Sequence, residues 1–173
     1  MNSNIDDLIN IAKESVKEIA PNAELVPTLL VETNHTAVES FHPEGYSFLE
    51  STNSYKPKNP KFMAIGLVVE GSASLTQAIK SALAQLNVSK YVLVMEGYGT
   101  EFTESADRYN GNIRNMPPED RFDVAVITAV SKGNTPKGFT ARIDPAPTED
   151  GLRTLREWEP NTAMGGRLAI TNW

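Results

Sequence analysis

Cysteine is absent from this 173-residue chain. That excludes disulfides, thiolate metal sites and cysteine nucleophiles. Histidine occurs twice, as His35 and His42. Basic residues are outnumbered, with 16 Lys and Arg against 22 Asp and Glu and a net charge of −6. The chain therefore lacks a global basic field for nucleic acid, and adsorption to an anionic membrane is disfavoured. No uninterrupted apolar run approaches the length needed to span a bilayer. The first seven residues are polar and acidic, where a secretory leader is basic and then apolar. The expectation is a soluble, cytoplasmic protein.

What is present suits one folded domain over residues 1–173. Apolar residues make up 40% and charged residues 22%, and this length buries roughly two thirds of the unfolded surface. The stretch 61–96 organises the rest. Residues 62–69 form an apolar run of strand length. Ser72 and Ser74 are candidate helix caps. Leu75, Ala78, Ile79, Ala82, Leu83 and Leu86 then recur at helical spacing. Residues 91–95 form a second apolar run, closed by Glu96 and Gly97. Two such strands joined by one helix are expected to lie side by side and parallel.

Ahead of this unit, Ser3 or Asn4 caps a first helix, with Ile5, Leu8, Ile9, Ala12, Val16 and Ile19 on one face and Pro21 at its end. Residues 24–33 form a strand candidate with Pro27 inside it, which predicts an edge position or a bulge. Downstream, residues 122–130 read as a β-branched strand. Residues 138–144 alternate, with Phe139, Ala141 and Ile143 on one side and Thr140, Arg142 and Asp144 on the other. Residues 152–158 and 167–173 are two further strand candidates. The expected fold class is α+β, in the order α-β-β-α-β-β-β-β-β, with a mixed, mainly antiparallel sheet and two helices on one face.

Two long connections interrupt this order, residues 34–60 and 98–120. The first carries four of the eleven Phe and Tyr residues, which suggests docking on the core or on another subunit. The second carries mixed charges and begins at the C-terminal end of a strand, where ligands gather in open α/β sheets. It supplies the candidate binding residues Tyr98, Glu101, Arg108, Tyr109 and Arg114.

Motifs for chemistry are few. His35 and His42 with Glu32, Glu39 and Glu44 match no metal spacing, and no metal or cofactor is expected. Gly71-Ser72-Ala73-Ser74 lacks the lysine and glycine pattern of a phosphate loop. Carboxylates are the better lead. Glu96 ends a buried strand, and Glu119, Asp120, Arg121 and Asp123 open the next. Glu96 with Arg121 or Asp123 is either an acid–base or cation-holding constellation or an ion pair pinning two strand ends. Lys56, Lys58 and Lys61 beside Tyr55 offer a stacking and phosphate-contact pattern for single-stranded nucleic acid, which the net charge opposes.

The run Tyr91-Val-Leu-Val-Met-Glu96-Gly-Tyr98, followed by Pro118-Glu-Asp-Arg121-Phe-Asp123 at the opening of a β-branched strand, resembles a scattered group of small bacterial and phage proteins. In that group a strand ends in Glu, a small residue and an aromatic, usually Trp where this chain has Tyr98. A segment like Asp-Arg-x-Glu opens the next strand. The resemblance spans residues 62–143 and implies a fold order but no activity. It singles out Glu96 and Arg121 as a pair. The functional expectation is a non-enzymatic binding or assembly protein that is homo-oligomeric or part of a larger complex. The alternatives are a hydrolase built on carboxylates near Glu96 and a single-strand nucleic-acid binder.

Overall fold

The computed structural model describes residues 4–32, 62–67, 71–86, 88–101, 113–161 and 169–173. Side chains of residues 71–74 lie outside this set, as do the 34–60 connection, Lys61, and Arg108 and Tyr109. The second helix begins at Gly71, so Ser72 and Ser74 fall inside it and do not precede it as caps.

The element order is α1 (Ile5–Ile19), β1 (Thr28–Glu32), β2 (Phe62–Gly66), α2 (Gly71–Leu86), β3 (Lys90–Gly99), β4 (Phe122–Ser131), β5 (Lys137–Asp144), β6 (Thr154–Leu155) and β7 (Glu159–Pro160). Two short 3₁₀ turns, Ile113–Asn115 and Pro118–Asp120, precede β4. The fold is α+β, in the expected order. Among the described residues the strands form one seven-stranded sheet ordered β2-β1-β3-β4-β5-β6, with β7 also pairing β5. Every described pairing is antiparallel.

Helix α1 starts where its capping residues dictate. Asn4 accepts from the Asp6 amide, and the Asp7 carboxylate accepts from the Asn4 amide, satisfying donors the first turn leaves open. Leu8, Ile9, Ala12 and Val16 are buried on one face, as their spacing predicts.

The sequence predicts β2 and β3 as parallel neighbours; they run in the same direction but are not neighbours. Strand β1 lies between them, Leu29 facing Ile65 on one side and Leu93 on the other. Leu29, Leu30 and Val31 are all fully buried. A strand apolar at consecutive positions exposes hydrophobic surface on both faces, and an interior position covers both. This also overturns the edge position inferred from Pro27. Pro27 stands just before β1, where no ladder donor is needed, and its carbonyl accepts from the Leu67 amide at 2.7 Å.

The helices cover opposite faces of the sheet, not one. Leu30, Val92, Val94, Ala125 and Ile127 pack with α1. Leu29, Val31, Met63, Ile65, Tyr91 and Leu93 pack with Leu75, Ile79 and Leu83 of α2. The cause is again the consecutive apolar positions of β1 and β3, which need a cover on each side. Fully burying each such large aliphatic side chain contributes roughly 1.5–3 kcal/mol.

Residues 169–173 run outside any strand and close the α2 side of the core. The candidate strand 167–173 is therefore replaced, over its described part, by a docked tail. The Tyr91 hydroxyl donates to the Ile170 carbonyl at 3.1 Å and accepts from its amide at 2.8 Å. Trp173 donates from Nε1 to the Val88 carbonyl at 2.8 Å and meets Tyr91 edge to face. Likewise, the 152–158 candidate shrinks to the two-residue strand β6, and β7 forms just beyond it.

Candidate functional site

Helix α1 covers β3 as far as Val94. The next two positions on that face are Glu96 and Tyr98, so a polar pair emerges where the helix ends. The β3–β4 register sets Ala125 opposite Glu96 and Asp123 opposite Tyr98. Strand β3 runs to Gly99, so Glu96 and Tyr98 are strand residues and not part of a following loop.

Glu96 does not meet Arg121. Its partner is Arg153, from the segment between β5 and β6. Arg153 Nη1 donates to Glu96 Oε1 at 2.6 Å and Nη2 to Oε2 at 3.1 Å. The Leu25 amide donates to Oε2 at 2.9 Å. The same guanidinium donates from Nε to the Ala20 carbonyl at 2.9 Å and from Nη2 to the Ala23 carbonyl at 2.6 Å. It thereby satisfies the carbonyl of the α1 C-cap, Ala20, and one just beyond the helix, where a cation is also favoured by the helix dipole. The hydrogen bonds to Glu96 hold the Arg153 guanidinium more basic than usual. Burial opposes this, and the charges of Glu96, Asp123 and Glu24 reinforce it.

Asp123 Oδ2 lies 4.0 Å from Arg153 Nη1. One guanidinium thus sits between the Glu96 and Asp123 carboxylates. Around it opens a cleft of about 460 Å³, lined by Glu24, Glu96, Tyr98, Arg114, Asp123 and Arg153. Tyr98 is 41% exposed. The Arg121 guanidinium stacks on its ring, 4.3 Å from the centroid, and donates to the Arg114 carbonyl.

Of the residues singled out from the sequence, Glu96, Tyr98, Arg114 and Asp123 converge on this cleft. Arg121 supports Tyr98. Glu101 is elsewhere: its Oε1 accepts from Arg142 Nη1 at 2.9 Å, and Arg142 pairs in register with Val124 on the α2 side of the sheet. Sequence reasoning missed Arg153 and Glu24. Arg153 is 57 residues from Glu96, in a segment with no motif, and nothing local marked it. Among the described residues no cluster of three His or acidic side chains is arranged to hold a metal. No described helix is long and apolar enough to cross a membrane.

Comparison with protein-family models, curated proteins and solved structures finds no match in any of the three. The functional reading therefore rests on the cleft's geometry.

Proposed function

We propose that the chain is a non-enzymatic binding or assembly protein that holds a protein partner, a second copy of itself included, at the Tyr98 cleft. The observation that carries this reading is the occupancy of Glu96. Both of its oxygens already accept from Arg153, and one accepts from the Leu25 amide as well. A general acid or base needs an oxygen open to the substrate's proton, so the same contacts disfavour a hydrolase built on Glu96. The half-exposed Tyr98 ring at the mouth of a cleft offers contact area at low entropic cost, as aromatic anchors of interfaces do. A cytoplasmic setting belongs to this reading, and the absence of cysteine is compatible with it. Nucleic-acid binding has behind it the 55–61 segment and the basic–aromatic set Arg108, Tyr109 and Arg114, of which Arg114 alone is among the described residues.

A photo-crosslinking amino acid at Arg114, with a control at exposed Glu18, tests the reading in the native cells. The expected result is a discrete adduct from position 114 alone, abolished by Tyr98→Ala. An adduct of two copies of the chain identifies self-assembly. If position 114 yields no more adduct than position 18, the reading falls.

A further inference from the structure

Resting on that reading, we propose that the partner presents a cationic side chain, a guanidinium above all, which seats against Tyr98 between Glu24 and Asp123.

Three carboxylates and two guanidinium groups line the cleft. Arg153 is committed to Glu96 and to the Ala20 and Ala23 carbonyls, and its Nη1 also stands 4.0 Å from Asp123 Oδ2. The groups left to a ligand are Glu24, the exposed part of Asp123 and Arg114, and the lining as a whole carries one more carboxylate than guanidinium. Glu24 is exposed, and the Asp123 side chain retains 40% of its accessible surface. Both carboxylates can therefore meet a ligand without a buried charge being uncovered.

The ring beside them already holds a guanidinium. Arg121 stacks on Tyr98 at 4.3 Å from its centroid, which demonstrates the contact the cleft offers. Tyr98 lines the cleft and stays 41% exposed with Arg121 in place, so it still presents surface to a ligand. A planar cation stacked on that surface can pair its edge with a carboxylate, a combination open to arginine and poorly matched by lysine. An anionic or neutral ligand would instead face the carboxylate excess.

Nuclear magnetic resonance titration of the ¹⁵N-labelled full chain with N-acetyl-arginine amide tests this. Its neutral near-isostere, N-acetyl-citrulline amide, is the control. Saturable shifts are expected at the amides of Gly97, Tyr98 and Asp123, weakened several-fold between about 50 and 500 mM salt. Tyr98→Ala and Asp123→Asn should each weaken binding by at least about fivefold, and Arg114→Gln should strengthen it, because it removes the cation opposing the ligand. Equal shifts with the citrulline probe, or weaker binding by Arg114→Gln, overturn the inference. If crosslinking at position 114 succeeds but the arginine probe moves nothing, the cleft binds a partner of other chemistry and this inference alone fails. If neither experiment gives a signal, both readings fail.

Discussion

The Arg153 guanidinium lies with Nη1 2.6 Å from Glu96 Oε1 and 4.0 Å from Asp123 Oδ2, one cation serving two strands. It also ties the end of α1 to the β5–β6 segment through the Ala20 and Ala23 carbonyls. The Glu96 side chain is only 9% exposed. Such a carboxylate is costly to leave unpaired.

Arg153→Ala is therefore expected to destabilise the fold by about 3 kcal/mol, measured by urea denaturation. Glu96→Gln combined with Arg153→Met should cost less than the two single changes added together, because the second change removes the charge the first leaves stranded. Additive costs would show that the pair contributes no coupling.

Tyr91 sets an alkaline limit. Its ring is fully buried, and burial raises its pKa to about 12, against a smaller opposing effect of the hydrogen bond with Ile170. In the unfolded chain the hydroxyl titrates near pH 10. Between these values the unfolded chain releases a proton that the folded chain retains. Stability from this group is complete below about pH 10 and is lost as pH rises towards 12, by roughly 3 kcal/mol in all. Urea midpoints at pH 9, 10 and 11 should fall more steeply for the native chain than for Tyr91→Phe. Parallel slopes would remove Tyr91 as the source.

Gly99 is the place where β3 tolerates no side chain. A Cβ there would stand 2.4 Å from Cε2 of Phe122, its register partner. The ring cannot readily retreat, because the Arg142 guanidinium stacks on it at 4.2 Å. Gly99→Ala should cost about 1–3 kcal/mol through overpacking, and most of that should vanish when Phe122→Leu accompanies it. Gly97→Ala, whose Cβ would meet Val124 Cγ1 at an ordinary 4.0 Å, is the control and should be close to neutral in thermal denaturation.

The elements were largely legible because their signals are local. Asn4 and Pro21 bracket α1, the spacing from Leu75 to Leu86 marks the buried face of α2, and the alternation through Ile143 assigns β5 its two sides. Legibility failed where a signal depended on strand order. Pro27 read as an edge marker because its own strand had been extended through it, whereas β1 begins one residue later. Both helices were expected on one face, whereas the consecutive apolar residues of β1 and β3 need a cover on each side, and one helix takes each. Four residues of the cleft were visible as polar groups clustered at strand ends. Arg153 was not, since a guanidinium in an unremarkable connection carries no periodicity or motif.

The sequence by itself determined where the two helices and the strands β1 to β5 form, to within a few residues, and which of their residues turn inward, since hydrophobic period and turn chemistry act over a few residues. Tertiary structure alone decided that β1 enters between β2 and β3, that α1 and α2 take opposite faces, and that Arg153 pairs with Glu96. Those outcomes depend on which distant surfaces cover one another and on which buried charge lacks a partner, and both become defined only when the sheet is assembled.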